Sequence, residues 1–391
     1  SFFTSFCFSM IFVVTSFYEV TVANLTGLQL VLVGTALEAA ILLFEVPTGV
    51  VADVYSRKNS LVIGYLIMGV GFCIEGVFPS FPAILLASAT WGVGYTFTSG
   101  ALEAWLSDEI GEQAANRAFL RANRFELSGA LTGMLAAIPL GNLAIALPIL
   151  AGGLGLFLLG VLLALFLPET RFAPVRPEYR NPFQHMGDIF RKGFAVVRAR
   201  PELMAVLGVG FIYGLYSEGW DRLWVKHLVD TFVIPSLFGL NEVAFLGLLR
   251  AAGMLLSMFV THQIEKRLDP NRIPSLAGGM FWFTGMLALA IFTFAFASAL
   301  AVAVSAVLVV SITRNVLNPL YLAWVNQQLD SDTRATVLSL SGQVDAVGQI
   351  ASGPLAGVVS LWSVQAAIAF AGFLLAPALS LIHRASRFRK D

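Results

Sequence analysis

Apolar runs of about twenty residues, separated by short clusters of Pro, Gly and charged residues, recur twelve times along the chain. At a helical rise of about 1.5 Å per residue, each run is long enough to cross a hydrocarbon core of about 30 Å. The pattern predicts helices over approximately residues 2–20, 29–50, 59–78, 82–107, 115–139, 142–167, 202–226, 240–263, 273–294, 297–326, 334–359 and 363–383. The one long polar stretch, Pro168 to Pro201, carries Arg171, Arg176, Arg180, Arg191, Lys192, Arg198 and Arg200 and divides the runs six and six. The predicted architecture is an all-α membrane protein: a six-helix bundle over 1–167, a cytoplasmic linker over 168–201 and a second six-helix bundle over 202–391. The first basic residue is Arg57, so the opening run has no positive segment before it and is expected to be a retained span, not a cleaved leader.

Composition sharpens this picture. Of 391 residues, 57% are apolar and 12% are charged, against roughly 25% charged in an ordinary soluble domain. With 24 basic and 24 acidic residues the formal net charge is zero. Nucleic acid is therefore excluded as a partner, because phosphate binding needs a concentrated positive face. Cys7 and Cys73 lie in apolar runs without a CxxC spacing, which implies neither a disulfide framework nor a metal site. No Gly-Lys-(Ser/Thr) phosphate loop, His-Glu-x-x-His or Gly-x-Ser-x-Gly occurs, which disfavours a primary pump and a membrane hydrolase. No cofactor is called for, and the chain is read as a non-enzyme.

Lys and Arg are retained on the cytoplasmic side during insertion. Arg57 and Lys58 follow the second span, Arg117 opens the fifth, and Lys266, Arg267 and Arg272 follow the eighth. Arg334 opens the eleventh, and Arg384, Arg387, Arg389 and Lys390 close the chain. All fall on the linker's side. The turns after spans 1, 3, 5, 9 and 11 lack Lys and Arg, and only Lys226 lies near the turn after span 7. This predicts a multi-pass protein of the cell (inner) membrane with both termini cytoplasmic.

The halves also share a repeat. Ala104-Trp105, Asp108 and Arg117-Ala118 recur as Ala323-Trp324, Gln327 and Arg334-Ala335, with the tryptophans 219 positions apart. In that register Glu126 corresponds to Asp345. Duplicated six-helix units are a transporter architecture, since a site at the interface of two repeats can open alternately to each side.

The second span runs into Gly49-Val50-Val51-Ala52-Asp53-Val54-Tyr55-Ser56-Arg57-Lys58. This resembles the loop signature of the major facilitator superfamily, Gly-x-x-x-Asp-(Arg/Lys)-x-Gly-(Arg/Lys)-(Arg/Lys), with Val54 in place of a basic residue and Ser56 in place of a glycine. Phe44-Glu45-Val46-Pro47-Thr48-Gly49 and Glu103-Ala104-Trp105-Leu106-Ser107-Asp108-Glu109 look most like the drug and macrolide efflux branch of drug:proton antiporters. The resemblance implies a cytoplasmic gate made of Gly49, Asp53, Arg57, Lys58, Asp108 and Glu109. In it Asp53 meets the positive end of the eleventh helix and Arg57 reaches Asp108 or Glu109. Gly348, Gly353, Pro354 and Gly357 resemble the antiporter motif and suit either a hinge or plain close packing.

Charges inside apolar spans are costly unless paired or hydrated, so they are the candidate functional residues. Glu38 and Glu45 share one face of span 2, and Arg124 and Glu126 diverge on span 5. Arg250, about ten residues from either end of span 8, is the deepest cation; Arg314 lies on span 10 and Asp345 on span 11. Glu126 and Asp345 are read as proton-coupling or substrate-contacting acids, with Glu126 favoured because span 5 also supplies Arg124. Arg250 and Arg314 fit either substrate contact or neutralisation of a carboxylate. Glu218, Asp221 and Arg222 are expected to form a cluster at the outer end of span 7, and Glu19 and Glu75 to be solvated near the outer surface. Phe44, Trp91, Tyr95, Tyr213, Tyr216, Trp220 and Tyr321 are candidates for an amphipathic cavity wall. The expectation is a monomeric secondary transporter exporting amphipathic small molecules in exchange for protons. An importer or lipid facilitator of the same fold, or a non-transporting assembly protein, is the alternative.

Overall fold

The computed structural model describes residues 1–174, 191, 194, 197–198, 200–237, 239–266, 273–327 and 331–385. The basic residues Arg176, Arg180, Lys192, Arg267, Arg272, Arg387, Arg389 and Lys390, and the side chain of Arg334, lie outside the described set. Every regular element among the described residues is an α-helix. In chain order these are α1 (Phe2–Thr21), α2 (Gly27–Val54), α3 (Arg57–Val77), α4 (Phe81–Thr98), α5 (Ala101–Ile110), α6 (Glu112–Leu143) and α7 (Leu147–Phe166). There follow α8 (Pro201–Thr231), α9 (Glu242–Glu265), α10 (Ile273–Ala295), α11 (Leu300–Gln327), α12 (Ser331–Trp362), α13 (Val364–Leu374) and α14 (Ala376–Ala385).

The helices make twelve spans once α4 with α5, and α13 with α14, are each counted as one. Both breaks have a local cause. Gly100 adopts a left-handed backbone with φ 71°, which interrupts the fourth predicted helix and costs glycine little. After Leu375, Pro377 lacks an N–H to continue the ladder of the twelfth. Span 7 is longer than predicted, because α8 continues past Lys226 to Thr231.

The chain divides into two compact units. Unit 1 comprises Ser1–Thr26, Ala36–Met186 and Ile234–Leu248, and unit 2 comprises Gly27–Thr35, Gly187–Val233 and Leu249–Asp391. Within unit 1, α1 packs on α6 and α7, while α3 packs on α4 and α7. Within unit 2 the pattern repeats: α8 packs on α12 and on α13 with α14, while α10 packs on α11 and on the same terminal pair. The close approaches recur too. A Cβ on Gly129 of α6 would run into the carbonyl oxygen of Phe2, and one on Gly348 of α12 into that of Phe211. Gly129 and Gly348 are separated by the same 219 positions as the repeated tryptophans. Small residues let apolar helices touch at backbone distance, which in lipid replaces much of the hydrophobic driving force.

Glu19 and Glu75 depart from expectation. They are 2% and 1% exposed and belong to the packed ends of α1 and α3, where the Tyr18 hydroxyl donates to the Glu75 carbonyl at 3.0 Å. Proximity to the chain turn says nothing about which helix face a side chain occupies. Large apolar side chains such as Leu165, Trp282 and Trp362 remain exposed, as a surface solvated by hydrocarbon requires.

Candidate functional site

Unit 2 contains a cavity of about 700 Å³, walled by α8, α9, α11 and α12. On α8, Tyr213, Tyr216, Trp220 and Trp224 follow helical spacing and so share one face. Their rings are locked together and onto neighbours: Tyr213 meets Tyr216 edge-on at 6.2 Å and Tyr321 at 6.0 Å, and Trp220 stacks on Trp224 at 6.4 Å. Hydroxyl contacts fix the orientation, with Tyr213 against Thr284 at 2.6 Å and Tyr321 against Ser341 at 2.8 Å.

Four charged side chains line this wall: Asp221, Arg250, Arg314 and Asp345. Arg314 engages Asp221 through both nitrogens of its fork, Nη2 donating to Oδ2 at 2.8 Å and Nη1 to Oδ1, and its guanidinium lies 5.9 Å from the Tyr216 ring centre. Asp345 accepts a 2.8 Å hydrogen bond from Gln349, one turn further along α12. Arg250 lies over Trp224 at 5.3 Å, and its buried Nε has no hydrogen-bond partner among the described residues. Among the described residues no carboxylate lies within ion-pair distance of Arg250.

The expected outer cluster on span 7 is divided by this geometry. Because α8 runs to Thr231, Asp221 stands ten residues from its end and faces the cavity. Glu218 pairs instead with Arg222 at 3.0 Å, against Gly34 of α2, where a Cβ would overlap the Glu218 carboxylate. The glycines of α12 serve close packing: besides Gly348, Gly353 faces Thr35 and Gly357 faces Leu28, with Pro354 between them. In unit 1, Arg124 and Glu126 are exposed on α6, Glu45 is exposed and Glu38 half-buried on α2. Phe44 and Tyr95 are exposed and Trp91 stacks on Phe72, so of the aromatic candidates Tyr213, Tyr216, Trp220 and Tyr321 meet at the unit 2 cavity. Trp224, Asn315 and Gln349 join them without having been singled out. Trp224 and Gln349 had a legible signal, each lying four residues from a candidate on the same helix face.

At the linker-side end of unit 1, Arg57 is the hub. Its Nη1 donates to the Ala104 carbonyl at 2.6 Å and to Asp108, and its Nη2 lies 3.8 Å from Asp53. Ser56 has an extended backbone, φ −176°, so no glycine is required there. It caps α3, accepting from the Asn59 N–H at 2.9 Å, and donates to Glu169 at 2.6 Å. Glu169 also accepts from the Lys58 N–H at 2.9 Å, which places a carboxylate on the positive end of α3. Glu109 accepts from the Thr170 hydroxyl at 2.7 Å and from the N–H groups of Thr170 and Arg171, and these donors hold its carboxyl below the usual range. Gly49 has nothing within 4 Å of where a Cβ would stand. Glu169 and Thr170, hidden in the linker, are the members of this cluster that the sequence reading missed.

Two repeated six-helix units with buried charge around an aromatic cavity define a multi-pass membrane transporter, not an enzyme. The profile of the Major Facilitator Superfamily matches residues 1–352, and the chain belongs to that family. The MFS-type transporter YxaM of Bacillus subtilis (strain 168) is 25% identical over 336 residues, covering 85% of this chain and 81% of that one. Among solved structures, the nucleoside transporter NupG is similar with a TM-score of 0.78 at 14% identity, over 99% of this chain and 98% of that one. A bacterial homologue of the human lysosomal transporter Spinster gives 0.72 at 14% identity, over 98% and 95%. At such identities the structural likeness is one of fold.

Proposed function

We propose that the chain is a proton-coupled secondary transporter that exports amphipathic small molecules across the cell membrane by alternating access, as a monomer with both termini in the cytoplasm. The observation that carries this reading is the 700 Å³ cavity in unit 2, where aromatic rings meet two acids and two bases. That volume lies within the roughly 300–1,000 Å³ of small-molecule sites. Asp345 is the favoured proton carrier. It lines the cavity, its hydrogen bond comes from the neutral Gln349, and among the described residues no arginine lies within ion-pair distance, which suits it to trade a proton against substrate. Asp221 is clamped by Arg314 on both oxygens. Glu126, exposed on α6, is the second candidate. The likeness of the span 2 and span 4 motifs to drug exporters supports export. The Arg57 hub with Asp53, Lys58, Asp108 and Glu109 is the gate on the cytoplasmic side, and Pro354, set among the closely packed glycines of α12, is the bending element.

The test is transport in proteoliposomes loaded with a pH dye, against a panel of amphipathic compounds. Asp345→Asn should abolish uphill, pH-driven export while sparing downhill exchange, and Glu126→Gln should retain coupling. Uphill export by both Asp345→Asn and Glu126→Gln at the wild-type rate, with unchanged pH dependence, would remove the proton-coupled reading and leave a facilitator or importer of the same fold.

A further inference from the structure

The four charges of the unit 2 cavity sum to zero, but among the described residues Arg250 is the one of the four that makes no side-chain hydrogen bond. Arg314 and Asp221 satisfy one another, and Asp345 is held by Gln349. Arg250 is left with an indole face and an orphaned Nε. A guanidinium inside a membrane span is costly without an anion or water to share its charge. The guanidinium lies 5.3 Å from the Trp224 ring centre, and a guanidinium fork carries paired N–H donors that match the two oxygens of a carboxylate.

A cation seated on the Asp345 carboxylate would leave Arg250 without an anion, whereas a carboxylate on Arg250 leaves the Arg314–Asp221 pair and the Gln349–Asp345 hydrogen bond intact.

We infer that Arg250 is the anchor of an anion subsite, and that the cavity takes organic acids with a flat apolar body, the carboxylate on Arg250 and the body among the α8 rings. This rests on the cavity being the substrate site, but it is tested by equilibrium binding without any gradient, so failure of proton coupling leaves it standing. Purified protein in nanodiscs is titrated with 1-naphthylacetate, 1-naphthylacetamide and 1-naphthylethylamine, following quenching of tryptophan fluorescence. The acid should bind about 10- to 100-fold more tightly than the amide, the range expected of hydrogen bonds to a charged group. Arg250→Gln should erase that preference, and Arg250→Lys, which keeps the charge and guards against misfolding, should retain part of it. Melting temperature and elution profile confirm that each variant is folded. Equal binding of acid and amide by the wild type, preference for the amine, no binding of the acid, or a folded Arg250→Gln protein with wild-type preference would each overturn the assignment. If the acid is preferred yet pH-driven transport is absent, the anion subsite holds and the coupling mechanism falls.

Discussion

The Asp221–Arg314 pair gives the sharpest energetic test of the cavity. Replacing Asp221 by Asn strands a guanidinium, and replacing Arg314 by Gln strands a carboxylate, each in a wall otherwise lined by rings. Fully exposed pairs contribute about 0.2–1 kcal/mol, whereas breaking a fully buried pair costs about 3–5 kcal/mol. Here the side chains are 43% and 32% exposed to the cavity, between those limits. The two-point geometry favours the upper part of the interval, and water in the cavity discounts it, giving about 1–3 kcal/mol for each single substitution. For a unit of this size, 1 kcal/mol moves Tm by about 2–4 °C, so each single variant should melt roughly 2–12 °C below wild type. The double variant Asp221→Asn with Arg314→Gln removes both charges together and should melt well above the sum of the single losses. Thermal unfolding in detergent, completed as a double-mutant cycle, reads the coupling directly. Losses that add to within about 0.3–0.5 kcal/mol would show that the two residues are independent, and the charge balance that isolates Arg250 would lose its basis.

Two further outcomes follow from packing and from the linker-side cluster. Gly214→Ala should lower Tm and yield, because its Cβ would run into the Asp345 carbonyl and force α8 from α12, whereas Gly49→Ala, inside α2 with open space around it, should melt at or about 2–4 °C above wild type; equal melting of the two variants would refute the backbone contact. The Glu109 carboxyl is depressed by the Thr170 hydroxyl first and by the Arg171 N–H next, so its hold on residues 170–171 is complete above the ordinary value of 4.5 and is lost as pH falls through the lowered one. A nitroxide at position 172 should be immobile at neutral pH, loosen in acid below 4.5, and be loose at neutral pH in Glu109→Gln; an equally immobile label in that variant would refute the tie.

The twelve spans were legible because hydrocarbon imposes one rule on every segment: about twenty apolar residues with internally satisfied backbone. Arg57 and its reach to Asp108 were legible through the loop motif. The partners inside the cavity were not, because apolar periodicity does not say which helices adjoin or how each is rotated. Arg314 and Asp221 are 93 positions apart and meet only after α8 and α11 have been oriented by their packing. Asp221 was expected at the outer end of its span because Lys226 looked like the terminus, but Thr231 is where α8 stops, and five residues shift a side chain about 7.5 Å in depth. Glu169 was hidden in a stretch read only as a carrier of positive charge.

The repeat shows which features duplication preserved and which it released. Backbone approach survived: Gly129 and Gly348, in the same register, each admit the carbonyl of a neighbouring helix, since any larger residue would separate the pair. Side-chain partners did not survive. Asp345 has Gln349 one turn on, while the equivalent position after Glu126 is Ala130, which offers no donor. Trp105 donates its indole N–H to the Pro168 carbonyl at 2.8 Å, while the indole N–H of Trp324 is buried without a partner among the described residues. Packing constrains both copies alike because each bundle must close against lipid, but chemistry needs only one copy of a titratable acid or an anion anchor. Asp221, Arg250, Arg314 and Asp345 gather around one cavity, whereas the positions 219 residues earlier are Phe2, Val31, Tyr95 and the exposed Glu126, so the repeat carries its packing glycines into both halves and this charged wall into the second alone.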